Sequence, residues 1–338
     1  MKFLITGGLG FIGSSFIRLV HAETLHEILN LDKESYASMP ESLSEIENSE
    51  RYNFVKLNIH EYKDLYKEIK DFKPNIILHF AAESHVDNSI DHPRDFLDSN
   101  IIGTFNLLEC IKNLKDLLPE NFRYIHVSTD EVFGSLDLNE KSFVEESVYK
   151  PNSPYSATKA SSDLLVRAWW KTYKLPLIVT NCSNNYGPWQ HPEKLIPTII
   201  CNAISDKKIP IYGEGTNLRD WLHVDDHVRA LLAVSEKTLK FNRYNIGANQ
   251  EIPNVDLANM ICELLDSKLK RDSSFKDLID FVEDRPGHDF RYSINAERIK
   301  EDLGFEPKFV LKEGLNQTVD WYISHKDWLV KKKSSDKE

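Results

Sequence analysis

The sequence predicts an α/β fold, a doubly wound parallel sheet carrying a smaller, mixed C-terminal domain. Three observations lead there. Short apolar runs alternate with longer amphipathic stretches through the first half of the chain, as βαβ units require. A glycine-rich turn follows the first apolar run and opens a helical pattern. After Tyr186 the punctuation changes, with Gly187-Pro188, Pro192, Pro197, Pro210 and Gly213 close together.

The expected strands, in order, are 2–6, 27–31, 52–56, 75–80, 122–127 and 175–180, each short, apolar and bounded by turn residues. Amphipathic patterns at 10–22, 61–72, 100–114 and 156–173 supply the crossover helices. A helical pattern at 225–237 and a strand at 244–246 are expected to return to the sheet. The first domain therefore spans 1–187 together with 221–247, and the second spans 188–220 and 248–330. Residues 331–338 are charged, poor in apolar side chains and expected to fray. No internal repeat is visible.

A chain of 338 residues buries a substantial core. Its formal charge of −11 leaves no broad basic face for nucleic acid. A local arginine or a helix terminus still suffices for an anionic ligand. The cysteines Cys110, Cys182, Cys201 and Cys262 form no C-x-x-C and read as core residues in a reducing compartment. The N-terminus lacks the apolar stretch of a signal peptide, and no run approaches the ~20 apolar residues of a membrane span. A cytoplasmic protein is expected.

In "TGGLGFIG" (6–13), Gly7, Gly10 and Gly13 are spaced by three between strand and helix. Such glycines let the backbone approach a pyrophosphate, whose charge the helix N-terminus favours. Asp32 ends the second strand, where a carboxylate accepts from both ribose hydroxyls and repels a 2′-phosphate. NAD is therefore expected rather than NADP. A plain strand-end cap is the alternative role for Asp32.

"YSATK" sets Tyr155 and Lys159 four apart, on one helix face. A nearby ammonium is expected to lower the phenol's pKa, so that the tyrosine takes a proton from an alcohol as hydride leaves. The spacing recurs at Tyr52/Lys56, Tyr66/Lys70 and Tyr322/Lys326. Only Tyr155 opens a helix directly after the loop that follows the fifth strand, with Ser128 or Thr129 ahead of it as a third hydrogen-bonding group. "HVDDH" (223–227) has metal-like spacing but reads as a helix start with acidic first-turn residues, and no metal is expected.

Asp130 and Glu131 sit side by side where the fifth strand runs out. A plain alcohol dehydrogenase has no use for them, whereas a dehydratase does. Once an alcohol is oxidised to a ketone, one carboxylate removes the adjacent C–H proton. A second, protonated carboxyl then donates to the hydroxyl that leaves as water. Mutual repulsion raises one pKa of the pair and retains that proton. Both side chains converge only if the strand has ended before them. A solvated acidic turn is the other reading.

The stretches "TGGLGFIGS", "HFAAESHVDNS", "STDEVFG", "PNSPYSATKASSDLLVRA", "TNCSNNYGPWQHPEKLIP", "LRDWLHVDDH" and "DRPGHDFRYSI" together resemble the dTDP-glucose 4,6-dehydratases, extended short-chain dehydrogenases/reductases, over nearly the whole chain. The resemblance implies a Rossmann-like NAD domain, a homodimer joined by a helix pair, and a hydro-lyase acting on a nucleotide-linked glucose. Tyr155 and Lys159 would oxidise C4, Glu131 would take the C5 proton, and Asp130, beside Thr129, would protonate the departing 6-hydroxyl. The resemblance also places Ser84, Thr129 and Asn184 at the sugar. Lys194, Leu195, Pro210, Ile211, Tyr212, Arg219, Asn254, Asp284, Arg285, Pro286, Gly287 and His288 would hold the nucleoside diphosphate. Phe11, Ile12, Asp32, Asn58, Ile59, Ala81, Ala82, Ser99 and Asn185 would line the NAD site. The chain departs from the family at Asn58 (usually Asp), Phe133 (usually Tyr), Asn88 (usually Arg) and "ASMPESL" (37–43). Dehydratases of UDP- or CDP-glucose run the same chemistry and remain open, as does a 4-epimerase, against which the acidic pair argues. A non-catalytic NAD-binding scaffold is the reading from another class.

Overall fold

The computed structural model describes residues 1–335. Its strands are β1 Lys2–Thr6, β2 Glu27–Asp32, β3 Tyr52–Lys56, β4 Ile76–His79, β5 Arg123–Thr129, β6 Leu177–Cys182, β7 Asn184–Tyr186, β8 Ile209–Tyr212, β9 Leu218–His223, β10 Arg243–Ile246, β11 Glu251–Pro253 and β12 Ile279–Val282. Its helices are α1 Phe11–Glu23, α2 Tyr62–Phe72, α3 Val86–Asp91, α4 Pro93–Phe96, α5 Gly103–Leu114, α6 Pro154–Tyr173, α7 Leu195–Ile204, α8 Val224–Glu236, α9 Asn254–Lys268, α10 Glu297–Leu303, α11 Leu311–Ser324 and α12 Lys326–Ser335.

Seven parallel strands form the main sheet in the order β3-β2-β1-β4-β5-β6-β10. This is the doubly wound sheet expected, with 244–246 joining it beside β6. Successive side chains of β1 show why the sheet is covered on both sides. Phe3 and Ile5 enter one core with Phe16 and Val20 of α1 and Leu231 of α8. Leu4 enters the other with Leu65 of α2, Ile111 of α5 and Val166 of α6. A strand buried on both faces reads as a continuous apolar run because neither face meets water. The order reverses direction between β1 and β4, and the crevice beyond the strands' carboxyl ends opens there.

A second core gathers Tyr186, Ile199, Trp221, Leu257, Ile261 and Leu315. Two small sheets border it, β11-β9-β7 and β12-β8. Three details differ from the sequence expectations. β5 continues to Thr129 because Ser128 and Thr129 still pair with Asn181 and Cys182 of β6, although apolar content has run out. Ile299 and Leu303 of α10 pack with Tyr244 in the first core, so this stretch of 248–330 belongs with the parallel sheet. The expected fraying from 331 does not hold through 335. α12 runs to Ser335, held by fully buried Leu329 and by the Trp328 ring packed 5.0 Å from Trp189. Tertiary packing thus carries a helix that is weak by itself. The last three residues of the expected tail, 336–338, lie outside the described residues.

Candidate active site

The glycine turn shapes one end of the cleft. Gly7 has φ +73°, and a Cβ there would lie 2.5 Å from the Ala81 nitrogen. β1 and β4 part at this point, so the side-chain-free approach keeps the crevice mouth narrow. A Cβ at Gly13 would meet the Gly7 carbonyl at 2.4 Å, so the third glycine seats α1 against the turn. Gly10 caps α1, leaving first-turn N–H groups facing the cleft. Asp32 fills the capping role weighed for it and also faces the cleft. Its Oδ1 accepts from the Glu34 N–H at 2.8 Å and the Ser38 hydroxyl at 3.1 Å, which caps the strand end. Its Oδ2 accepts from the Leu9 N–H at 3.0 Å while the carboxylate lines the cleft. Burial raises its pKa, and these bonds oppose the rise. Phe11, Ile12, Asn58, Ile59, Ala81, Ala82, Ser99 and Asn185 line the same cleft. A cradle that any Cβ would fill, with a carboxylate at its far end, fits a dinucleotide such as NAD.

At the other end β5 stops at Thr129, and a single 3-10 turn, Asp130–Phe133, follows at once. The strand's alternation ends there, and the adjacent side chains of Asp130 and Glu131 both line the cleft. Thr129 Oγ1 accepts from the Glu131 N–H at 3.3 Å and donates to Asp130 Oδ1 at 3.3 Å. Asp130 Oδ2 is buried and has no partner within the protein. Burial, then Glu131 and Asp220, push the Asp130 carboxyl well above the usual range. Burial also raises Glu131, but Arg285, Arg219 and Lys194 oppose it. Both carboxyls are thus raised, Asp130 well above its ordinary value and Glu131 against the opposition of three cations.

Ser153 caps α6. Its hydroxyl accepts from the Ser156 N–H, the Ser156 hydroxyl accepts in return from the Ser153 N–H, and Pro154 fills the first helical position. This fixes Tyr155 in the first turn, where its N–H donates to Ser89 Oγ at 3.2 Å. Lys159 follows one turn on, its Nζ donating to the Val127 carbonyl at 2.9 Å. The expected lowering of the Tyr155 pKa is not found. Burial, then Glu131, Cys182 and Asp130, push the phenol well above its ordinary value. The tyrosine therefore rests protonated.

Ser84, Thr129, Asn184 and Lys194 also border the cleft. Lys194 Nζ donates to the Ser84 carbonyl at 2.8 Å, and Asn184 Oδ1 is buried without a partner, an acceptor awaiting a hydroxyl. The remaining expected substrate contacts lie beyond this cleft's lining. Tyr212 and Arg285 both reach Asp87, at 3.1 and 3.4 Å, and His288 pairs with Asp284 at 2.7 Å. Gly287 turns at φ +68° beside Pro286, close to the Asn152 carbonyl. Arg219 is buried, donates to the carbonyls of Leu218 and Asp289 at 2.7 and 2.8 Å, and stacks on Tyr292. Asn254 Oδ1 is buried and unpartnered. Pro210 is exposed beside it in β8, and Leu195 opens α7 partly buried. The Ile211 side chain is buried in the second core, so its backbone is what it can offer a ligand.

Several residues here went unread in the sequence. Asn100 sits in a π-helical turn, Leu97–Ile102, and its amide grips both backbone groups of Glu83 at 2.9 and 3.0 Å. Asp220 crowds Asp130, and Ser35, with Ser38 and Met39 of the atypical "ASMPESL" stretch that follows it, lines the cofactor end. No period or motif marks these. Asp163 is different, since it stands four residues after Lys159 as Lys159 stands four after Tyr155, and that repeat was legible. The "HVDDH" histidines have structural partners. His223 Nδ1 accepts from the Asp225 N–H at the start of α8, and neutral His227, its pKa pushed down to about 3 by burial, donates to Asn185 Oδ1 at 2.8 Å. Among the described residues no cluster of His, Cys, Asp and Glu has a metal-holding arrangement, and no helix is long and apolar enough to cross a membrane.

The family model for GDP-mannose 4,6 dehydratase matches residues 4–318. The chain is 48% identical to a dTDP-glucose 4,6-dehydratase of Escherichia coli, across 97% of this chain and 95% of that protein. It is 47% identical to the enzyme of that name from Neisseria meningitidis serogroup B, across 97% and 94%. The crystal structure of a dTDP-glucose 4,6-dehydratase from Bacillus anthracis, in complex with NAD, superposes with TM-score 0.86 at 43% identity, covering 97% of this chain and 98% of that one. The enzyme from Streptomyces venezuelae, with NAD and TDP bound, gives 0.89 at 39%, covering 97% and 98%.

Proposed function

The chain belongs to the dTDP-glucose 4,6-dehydratase family, and from that premise we propose that it is an NAD-dependent hydro-lyase converting dTDP-glucose to the 4-keto-6-deoxy sugar. The observation that carries this is the carboxyl pair, Asp130 and Glu131, set at the end of β5 in the cleft that also holds Tyr155 and Lys159. Bound NAD would supply the acceptor for hydride from C4 and its donor to C6, with a proton returning to C5, so that the cofactor would end as it began. Tyr155, with Lys159 one turn away, takes the proton of the 4-hydroxyl. Glu131, a carboxylate with Arg285, Arg219 and Lys194 about it, takes the C5 proton that the new ketone has made acidic. Asp130, still protonated, donates to the 6-hydroxyl as it leaves as water. Thr129 holds both carboxyl residues in register through its hydroxyl. An epimerase oxidises C4 and returns the hydride to the other face of the same carbon, so it eliminates nothing and has no task for this pair.

The test is incubation of the purified protein with dTDP-, UDP-, CDP- and GDP-glucose without added cofactor. The expected outcome is a product lighter by one water from dTDP-glucose foremost, with one NAD released per chain on denaturation. A requirement for continuous NAD supply, or an unchanged sugar mass, overturns the reading.

We infer further that two chains pair through α5 and α6. Both helices leave apolar side chains in water: Phe105 on α5, and Leu164 and Tyr173 on α6, with Ile102 just before α5. An apolar strip of this kind on adjacent helices suits a second copy of the same surface. Light scattering should give twice the monomer mass, and Leu164→Asp should give a monomer. A wild-type monomer at micromolar concentration sinks this inference.

A further inference from the structure

Tyr155, Lys159 and Asp163 succeed one another at intervals of four and so share one face of α6. The proposed chemistry uses the first two and leaves the third without a task. Asp163 is 2% exposed, and a carboxylate so deeply buried needs partners to stay ionised. It has them. The Tyr149 hydroxyl donates to Oδ2 at 2.6 Å and Asn181 Nδ2 donates to it at 3.2 Å, while His126 Nε2 lies 3.2 Å from Oδ1 without closing a hydrogen bond to it. Behind Tyr149 and Asn181 stands Arg243 of β10, whose guanidinium donates to both. Burial alone would raise the Asp163 pKa, but His126, the Lys159 charge and the Tyr149 bond more than offset it. The group lies below the ordinary carboxylate range.

Lys159 has the opposite difficulty. It is 4% exposed, and burial lowers its pKa toward the neutral amine. Its Nζ donates to the Val127 carbonyl, a dipole without net charge. Asp163 is the largest influence opposing that burial, followed by Cys182. Apart from Asp163 and Cys182, no group opposes the burial of Lys159. His79 on β4 and His126 on β5 are kept neutral by burial. The phenols of Tyr124 and Tyr155 and the thiol of Cys182 are all pushed upward by burial. Tyr149 is pushed up likewise and donates to Asp163, while Arg243 is itself a cation. Asp130 and Glu131, at the end of β5, act on Tyr155.

We propose that Asp163 is a positioning residue for the oxidation step, an anchored anion one helical turn beyond Lys159 that keeps the lysine a cation one turn from Tyr155. The proposal rests on the assignment of Tyr155 and Lys159 as the oxidising pair. It gives the buried string Asp163–Tyr149–Arg243, with His126 alongside, a purpose. Those bonds fix the anion in place, so its charge is available to Lys159 without the two side chains closing into a direct ion pair.

The test is the pH dependence of single-turnover C4 oxidation across the neutral and alkaline range in Asp163→Asn, which removes charge with little change of shape. The Lys159 ammonium is present below its pKa and lost as pH rises through it. Removing the anion lowers that pKa, so the alkaline fall in rate should move to lower pH, by ~1–3 units. Rates well below the fall should stay near wild type, and Asp163→Glu should restore the wild-type position. In a Lys159→Met background, Asp163→Asn should cost nothing further, because its effect passes through the lysine. A uniform loss of rate at every pH, with the fall unmoved, reduces Asp163 to packing and overturns the proposal. Wild-type turnover in Lys159→Met would instead overturn the assignment of the pair itself. Should Asp163→Asn fail to fold by circular dichroism, Asp163→Ser, small enough to admit water, carries the same test.

Discussion

In Glu131→Gln, reduced cofactor should build up on the enzyme while the dehydrated sugar fails to form. Tyr155 and Lys159 are untouched by the change, so the 4-hydroxyl is still oxidised. An amide cannot take the C5 proton, however, and the reaction stalls at the ketone. Removing a positioned base costs ~10²–10⁴-fold, and the loss should fall on the elimination alone. Two measurements separate the steps. Single turnover with dTDP-glucose should show persistent reduced-cofactor absorbance where the wild type shows a transient. Deuterium from solvent, which the wild type places at C5 of the product, should enter slowly or not at all. Wild-type exchange and product formation in this variant would leave the carboxyl pair without a role.

Tyr155→Phe should act one step earlier and silence everything after it. No absorbance change should appear, because the 4-hydroxyl keeps its proton and hydride cannot leave an undeprotonated alcohol readily. The loss is again ~10²–10⁴-fold, now on the first step. The structure sharpens this expectation. Burial, then Glu131, Cys182 and Asp130, hold Tyr155 well above its ordinary pKa, so the phenol starts the reaction protonated. Near-normal turnover in Tyr155→Phe would move the chemistry elsewhere. The decoy Tyr322 is no candidate, since its hydroxyl is buried and donates to the Gln190 carbonyl at 2.9 Å. Tyr52 accepts from Asn30 in the neighbouring strand, at 3.0 Å.

The parallel sheet was readable because strands such as β1 and β4 are apolar on both faces and stand between helices of 3.6 period. The glycine turn was readable because backbone approach at Gly7 and Gly13 tolerates no side chain. Other features had no such trace. β7 and β11 are three residues each, too short to show alternation, and their pairing with β9 is decided by distant chain. The end of β5 was placed two residues early because Ser128 and Thr129 stay in the ladder through backbone bonds, which composition does not report. Ile211 was assigned to a ligand by likeness; the alternation of β8 turns its side chain into the second core, leaving its backbone for that role and Pro210 and Tyr212 outward. The direction of the Tyr155 shift escaped too, since a four-residue spacing reveals the ammonium and not the buried carboxyls across the cleft.

The seventh strand has a consequence for synthesis of the chain. β6 ends at Cys182, and its outer partner β10 begins only at Arg243. The ribosome must therefore add some sixty residues, β7 to α8 and the loops between them, before the open side of β6 can be closed. At about 5–20 residues per second this takes roughly 3–12 s. Throughout that interval the nascent chain presents a strand destined for burial, with apolar Leu177, Ile178 and Val179 and unpaired backbone groups, the kind of edge on which chains aggregate. α10, which packs on β10, emerges later still. A nascent chain arrested anywhere between the two strands is thus a substrate for chaperones rather than a finished cofactor-binding half.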